Sequence, residues 1–385
     1  MDALRQSDSY RIAQSAEETL KMPLPMSLDC AICAFRSLRQ FPAGAPEQVV
    51  RGGIGEVCDM TRVHVLGAAG YAAGEFVRYA ERHPHVEVGA LESASQAGRP
   101  LADAFPALRA SPRSFDGAGA VAAAVAPDDV VILAGEPESA REHAPRFLAR
   151  GARVIDFSDA FRLAPHANGA VYGWTERYAD ALRDARFIAN PGCYPTATLL
   201  ALAPLAPFAR DIVQLVVDAK SGTTGAGRKP RTELLFSESD GDVRAYGLEG
   251  HRHQPEIEQE LAALGIAAPL VFTPHIVPLR RGLLADAYAI FASAPDAGAV
   301  RAAYLRAYDG NSFVRVLPPE RAPNLVALVD TCDAEIHVSV VGNVVRAIAA
   351  IDNLGKGAAG QAVQCLNLML GLGKECAFDD RGARV

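Results

Sequence analysis

The sequence predicts two lobes, a doubly wound α/β sheet followed by a mixed or antiparallel sheet. Three observations carry this. From residue 62 short apolar runs alternate with helical apolar spacing, the pattern of crossover units in a parallel sheet. A glycine-rich turn follows the first of those runs. Beyond about residue 210 the apolar runs lengthen and few helical patterns separate them. A length of 385 residues agrees, since roughly 150 residues per domain implies two or three domains.

In chain order, 62–66 reads as a short apolar strand, 67–70 as a turn, and 71–83 as a helix with apolar residues at Phe76, Val77, Tyr79 and Ala80. Strands follow at 86–91, 129–134, 152–156 and 186–189, with a helix over 138–150. The segment 194–205 reads as an apolar helix, and 256–263 as a further one. The second lobe carries strands at 212–219, 270–274, 285–293, 313–317, 326–329, 334–341 and 344–351. A last helix over 357–372 places Ala362, Val363, Leu366, Met369 and Leu370 on one face.

Residues 1–60 differ. They show no strand alternation and no long amphipathic period, and they end in Arg51-Gly52-Gly53-Ile54-Gly55. They are expected to be a poorly ordered or appended leader, with an ordinary chain start at Met60. The leader holds Cys30-Ala31-Ile32-Cys33, half of a zinc pattern whose second half is missing.

Composition excludes several classes. Half the residues are hydrophobic and 22% are charged, which suits packed cores rather than disorder. A net charge of −7 argues against a nucleic-acid binder. No apolar run reaches the roughly 18 residues of a membrane span, and no charged-then-apolar signal opens the chain, so a cytoplasmic location is expected. Seven cysteines, an odd count, fit reduced thiols.

Gly67-Ala68-Ala69-Gly70-Tyr71-Ala72-Ala73-Gly74 follows a strand and opens a helix. Small residues there let the backbone approach a pyrophosphate seated on the helix N-terminus. Glu92, at the end of the second strand, is placed to accept hydrogen bonds from a ribose 2′-hydroxyl. The other reading of these features is a tight connection and a solvated loop charge.

Asn190-Pro191-Gly192-Cys193-Tyr194-Pro195-Thr196 joins a strand to a helix. Pro195 suits a first helical turn, and Cys193 falls at or beside the N-cap, where free amides and the helix dipole are expected to lower a thiol pKa. Its proton-handling partner comes from nine histidines, of which His251 and His253 flank Arg252 just before a helix. That cluster suits an anionic, phosphorylated substrate. His275 follows another strand. A third ligand for His251 and His253 is lacking, so no metal is expected. The segment 219–229, with Lys220, Ser221, Gly222, Arg228 and Lys229, is a glycine- and hydroxyl-rich loop suited to holding phosphate, or a flexible surface loop.

At these residues the sequence resembles the N-acetyl-γ-glutamyl-phosphate reductase family. The matching segments span about 62–372 and include Val171-Tyr172-Gly173, Asn190-Pro191-Gly192-Cys193-Tyr194-Pro195-Thr196, His251-Arg252-His253-Gln254-Pro255-Glu256-Ile257 and Asp352-Asn353-Leu354-Gly355-Lys356-Gly357. The resemblance implies a Rossmann-type doubly wound parallel sheet beside an α+β domain like that of glyceraldehyde-3-phosphate dehydrogenase. It implies a dinucleotide-binding domain over 61–195, a substrate and dimerisation domain over 196–350, and a C-terminal helix over 351–375 returning to the first domain. The implied reaction is NADPH-dependent reduction of an acyl phosphate through a Cys193 thioester, with His253 or His251 handling the proton. Cofactor contacts are implied at Gly67, Ala68, Ala69, Gly70, Tyr71, Ala72, Glu92, Ser93, Ser95, Ser221, Gly222 and Asn353. Substrate contacts are implied at Asn190, Lys220, Ser221, Arg228, Lys229, His275, Arg280 and Arg281. A homo-oligomer, dimer or tetramer, is expected.

Three departures from the family pattern stand out. Ala69 and Ala73 replace a hydroxyl and a glycine in the turn. Glu92-Ser93-Ala94-Ser95 stands where Thr-Ser-Arg-Ser is usual, so electrostatics favour NAD over NADP. Gly135-Glu136-Pro137-Glu138 replaces Leu-Pro-His-Gly. The alternatives are an aspartate-semialdehyde-dehydrogenase-like reductase of a related acyl phosphate, and a catalytically lapsed binding paralogue.

Overall fold

The computed structural model describes residues 60–378. The expected leader, with Cys30 and Cys33, lies outside the described residues apart from Met60. The first lobe runs β1 (Thr61–Leu66), α1 (Tyr71–Ala80), β2 (Val86–Glu92), α2 (Leu101–Ala104), α3 (Ala120–Ala124), β3 (Val130–Leu133), α4 (Pro137–Ala149), β4 (Arg153–Asp156), β5 (Val171–Tyr172), α5 (Thr175–Arg183) and β6 (Phe187–Ala189). Its six strands lie in the order β2-β1-β3-β4-β6-β5, with every pair parallel. The apolar run of β3 is buried throughout, as a strand covered by helices on both faces requires.

The second lobe begins with α6 (Cys193–Leu202) and continues through β7 (Ile212–Gly222), α7 (Phe236–Ser239), β8 (Arg244–Ala245), α8 (Gln254–Ala262), β9 (Leu270–Val277), β10 (Leu283–Phe291), α9 (Ala297–Ala307), β11 (Val314–Val316), α10 (Leu325–Leu328), β12 (Ala334–Val341) and β13 (Val344–Ile351). Its seven strands lie in the order β11-β12-β13-β10-β7-β9-β8, antiparallel except for β7 with β9 and β11 with β12. Ala285, Ala287, Ala289, Ala347 and Ala349 make its inner face shallow, and all are buried. In α6 every residue from Tyr194 to Leu202 is buried. A helix apolar on all sides has to be enclosed on all sides. This one shares a core with both the alanine face and α8.

The chain then returns. α11 (Gly360–Met369) is wholly buried and packs into the first lobe's core with Phe76 and Val77 of α1 and Leu182 of α5. Among the described residues no helix is long and apolar enough to cross a membrane.

Several elements differ from expectation. Of residues 326–329, expected as a strand, 326–328 belong to α10, because the Asn324 side chain accepts the Val326 N–H at 3.0 Å and starts a helical turn. The last helix begins at Gly360, because Gly355–Ala359 forms a π-turn before it. α6 ends at Leu202, where Pro204 and Pro207, lacking N–H donors, turn the chain into a 3-10 stretch over Ala203–Asp211. α2, α3, β5, α5, α7, β8 and α9 are additions to the expected elements.

Candidate active site

The turn after β1 is shaped for close approach. Gly67 has φ +87°, and a Cβ there would fall 2.9 Å from the Ala134 carbonyl carbon. Its N–H and that of Ala68 donate to the Glu92 carbonyl, which lashes the turn to the end of β2. Gly70 is the N-cap of α1, with no side-chain cap and no acid in the first turn. Helix geometry therefore leaves the first-turn amides, those of Tyr71 and Ala72 included, turned outward. At Gly74 a Cβ would meet the Phe105 ring at 2.5 Å. Close backbone, uncapped amides and a tightly packed helix fit a dinucleotide pyrophosphate.

Glu92 is not a free loop charge. Its carboxylate oxygens accept the N–H groups of Gly119 at 2.9 Å and Val121 at 3.0 Å, which caps α3 and fixes a negative charge at the end of β2. Ser93 is buried, its Oγ 3.5 Å from that of Ser95. The two acids after β3 also have roles. Glu136 pairs with Lys229 at 2.5 Å, and Glu138 lies in the first turn of α4, where the helix dipole favours it.

Cys193 is the first residue of α6, after Gly192 as N-cap. Its approach is held by one buried carboxylate. Glu256, from the first turn of α8, accepts the Gly192 N–H at 2.9 Å, the Tyr172 hydroxyl at 2.7 Å and Arg162 Nη1 at 3.2 Å. Arg162 in turn donates to the carbonyls of Asn190 and Phe157, each at 2.8 Å. Asn190 donates through Nδ2 to the Ala358 carbonyl, while its buried Oδ1 has no hydrogen-bond partner among the described residues. From the other side the π-turn presses in, and a Cβ on Gly357 would lie 2.8 Å from Cys193 Cβ.

The expected lowering of the thiol pKa does not occur. Burial pushes Cys193 up and outweighs the opposing pull of Arg252, of the Tyr194 N–H and of Arg162. His253 stands against Gly192, the residue before Cys193, since a Cβ on Gly192 would fall 2.5 Å from His253 Nε2. Burial, then Arg162, Arg252 and His251, hold the His253 ring far below the usual histidine range, and its buried Nδ1 has no partner among the described residues. Burial and then Arg252 lower His251 to about 4. Its Nδ1 accepts the His253 N–H at 3.2 Å. Ring centroids of His251 and His253 are 4.9 Å apart, with Tyr194 and Tyr246 packed against them.

The remaining expected residues divide. Ser221 is buried and its Oγ donates to the Gly222 carbonyl, while a Cβ on Gly222 would strike the Leu279 carbonyl oxygen at 2.8 Å. Lys220 and His275 are paired with carboxylates. Strand alternation turns Lys220 to the face opposite Ser221, where its Nζ lies 2.9 Å from both Asp218 and Asp286. His275 Nδ1 sits 3.1 Å from Asp218. Arg281 is enclosed between Glu75, Asp330 and Asp352 at 3.1, 2.6 and 2.7 Å. The Asn353 side-chain oxygen accepts the Gly282 N–H and its Nδ2 donates to Thr224 Oγ1, so its amide is committed to the fold. Arg228 reaches across to the carbonyls of Ala69 and Ala104 at 3.1 and 3.2 Å, and Arg280 is exposed. Among the described residues no group of three His, Cys, Asp or Glu is placed to hold a metal ion.

Glu256, Arg162, Tyr172 and Gly357 escape a reading of residue types. Glu256 stands three residues after His253 in an apparently ordinary helical first turn, which is the only signal it leaves.

Two family models match, the semialdehyde dehydrogenase NAD binding domain over residues 62–185 and the semialdehyde dehydrogenase dimerisation domain over 193–353. The chain is 40% identical to an N-acetyl-gamma-glutamyl-phosphate reductase of Desulforamulus reducens over 84% of its own length and 99% of that protein. It is 39% identical to the Synechocystis protein of the same name, over 81% of its length and 95% of that protein. Among solved structures, aspartate semialdehyde dehydrogenase II from Vibrio cholerae aligns with a TM-score of 0.65 at 18% identity, covering 81% of this chain and 99% of that one. The Candida albicans enzyme, solved with NADP, aligns with a TM-score of 0.62 at 16% identity over 81% of this chain. These two show the shared fold.

Proposed function

The chain belongs to the semialdehyde dehydrogenase family and, within it, to the N-acetyl-gamma-glutamyl-phosphate reductases, and on that premise we propose how its own residues carry out the reaction. The substrate is N-acetyl-γ-glutamyl phosphate and the products are the γ-semialdehyde and phosphate. His253 Nε2 takes the Cys193 proton as the sulfur attacks the acyl carbon. The C–O bond to phosphate breaks, phosphate leaves, and a thioester remains on Cys193. A nicotinamide dinucleotide, when bound, supplies the hydride. The C–S bond then breaks, the carbonyl re-forms as aldehyde, and the proton on His253 returns to the sulfur.

Glu256 and Gly357 hold the thiol in register, and the unpartnered Oδ1 of Asn190 is open to a ligand donor. His251 supports His253 through its ring nitrogen. We read 61–195 as the dinucleotide-binding domain, 196–350 as the substrate domain, and 351–375 as the returning helix. NADP is the cofactor the family resemblance implies, and Glu92 opens the site to NAD by weakening the hold on a 2′-phosphate. The dimerisation model over the second lobe supports a homo-oligomer. The aspartate-semialdehyde alternative has only the fold behind it, and an intact thiol–histidine pair weighs against a lapsed paralogue.

The carrying observation is Cys193 at the start of α6 with a neutral His253 beside Gly192. Phosphate-dependent reduction of NADP or NAD by N-acetylglutamate semialdehyde tests it. Cys193→Ser should lose at least about 10³-fold. Equal rates in both proteins end the thiol mechanism.

A further inference from the structure

Among the described residues Lys356 is the only buried lysine. It lies in the π-turn between Gly355 and Gly357, and its side chain reaches the start of α5. There Nζ donates to Glu176 Oε1 at 2.7 Å, to Gln364 Oε1 at 2.7 Å and to Thr175 Oγ1 at 3.5 Å. An ammonium has three N–H groups, and here each has an acceptor. The Glu176 side chain is buried too. Burial works against its charge, but Lys356 first and then Lys374 outweigh burial and hold the carboxyl below the ordinary range.

The two ends of this pair lead to the two sides of Cys193. Next to Lys356 is Gly357, where a Cβ would lie 2.8 Å from Cys193 Cβ. From Glu176 the chain leads back through Gly173 to Tyr172, whose hydroxyl donates to the Glu256 carboxylate that also accepts the Gly192 N–H. Gly173 abuts the cysteine loop directly, since a Cβ there would lie 3.1 Å from Pro191 Cδ. Gln361 of α11 fixes the segment between, donating through Nε2 to the Gly173 carbonyl and to Thr175 Oγ1. These contacts close a ring that begins and ends at Cys193, and Lys356–Glu176 is its one ion pair.

We propose that Lys356 and Glu176 are positioning residues, a buried ion pair that fixes the π-turn against Cys193 and so sets where the sulfur sits. It rests on the reading of Cys193 as the nucleophile. Neither side chain moves a proton in the reaction, and both act only through the sulfur's place. A buried pair is a weak source of stability, because attraction between the charges does little more than offset their lost hydration. What this one supplies is register. The ammonium meets its three acceptors from one placement of the π-turn, whereas an apolar side chain of the same volume would tolerate several.

Two measurements on the full chain carrying Lys356→Met together with Glu176→Gln test this. The double substitution removes both charges at nearly constant volume, so no buried charge is left unpaired and the chain keeps its fold. The first measurement is the rate of Cys193 alkylation by iodoacetamide, read by peptide mass spectrometry and set against the unfolded fraction from urea titration. It follows the sulfur without any turnover, and it should rise about tenfold as the ring loosens and solvent reaches the thiol. The second is the split between kcat and KM in the phosphate-dependent oxidation of N-acetylglutamate semialdehyde. There kcat should fall about tenfold while KM stays within about twofold. Lys356→Met alone strands the Glu176 charge and should lose more kcat than the double variant, which is the deciding one. An alkylation rate within about twofold of the unsubstituted protein, or one that rises only in step with the unfolded fraction, overturns the proposal whatever happens to kcat. Faster alkylation with kcat unchanged leaves the pair as the holder of the sulfur and ends the thiol mechanism instead.

Discussion

Gly357→Ala adds a single methyl group directly against the proposed nucleophile. Its Cβ would lie 2.8 Å from Cys193 Cβ, 3.3 Å from Cys193 Cα and 3.2 Å from the Asp352 carbonyl oxygen. Carbon atoms rest at about 3.5–4.0 Å, so the π-turn and the start of α6 must part by about 1 Å. None of those neighbours is the loose end of a side chain. Asp352 is pinned by Arg281, and Gly192 by Glu256. Overpacking of this kind costs about 1–3 kcal/mol of stability. Misplacing a reacting group by about 1 Å lowers the rate by about 10²-fold. Steady-state kcat/KM for the acyl phosphate, alongside urea unfolding, measures both. Gly117→Ala is the control, since a Cβ there meets nothing within 4 Å and its φ is not positive. It should stay within twofold of the unsubstituted protein. A Gly357→Ala protein equally active and equally stable would refute the idea that the π-turn sets the sulfur's position.

Two further outcomes follow from charge. Glu92→Gln keeps an oxygen acceptor for α3 but removes the fixed negative charge at the end of β2, so the ratio of NADPH to NADH specificity, measured as kcat/KM, should rise about tenfold; an unchanged ratio would count against Glu92 as a selector. The second outcome concerns acid. Burial lowers the pKa of His83, His251 and His253 in the folded chain, so the unfolded chain takes up protons first as pH falls below 6.5. Their contribution to stability is intact above 6.5 and is lost toward about 4, where His251 titrates in the folded state. Asp156 and Asp352, raised by burial, pull the other way. The difference in urea midpoint between the unsubstituted chain and His251→Asn isolates the histidine. The midpoint of the unsubstituted chain should fall relative to that of His251→Asn as pH drops from 6.5 toward 4, and a constant difference would show that His251 is not held neutral.

Much of the fold is legible in local pattern because parallel strands buried on both faces are short, continuous apolar runs. The four residues of β3 are such a run. Where local and long-range physics disagree, the sequence misleads. Val326 and Val329 are β-formers, yet one Asn324 side chain suffices to start a helical turn through Val326, which is exposed. The glycines at 355, 357 and 360 look like a weak helix start, and only packing explains them. A Cβ at Gly355 would collide with the Thr331 carbonyl oxygen, and one at Gly360 would meet Cys332 Sγ at 2.7 Å. Arg281 and Lys220 resemble ligand cations because residue type reports charge but not its partner. One carboxylate of each comes from α1 or β10, distant in the chain.

The thiol shows most clearly what sequence position leaves out. A cysteine at a helix start invites the conclusion that it rests as a thiolate, since the dipole and free amides act on it. Those effects are present, but the enclosure that makes α6 a buried helix also removes the solvent an anion needs, and desolvation wins. The same enclosure keeps His253 neutral and therefore able to accept a proton. One physical cause thus sets both partners, holding the sulfur protonated at rest and the ring basic beside it. On the proposed mechanism, proton transfer is then coupled to attack on the acyl carbon, so the nucleophile forms as its substrate reacts.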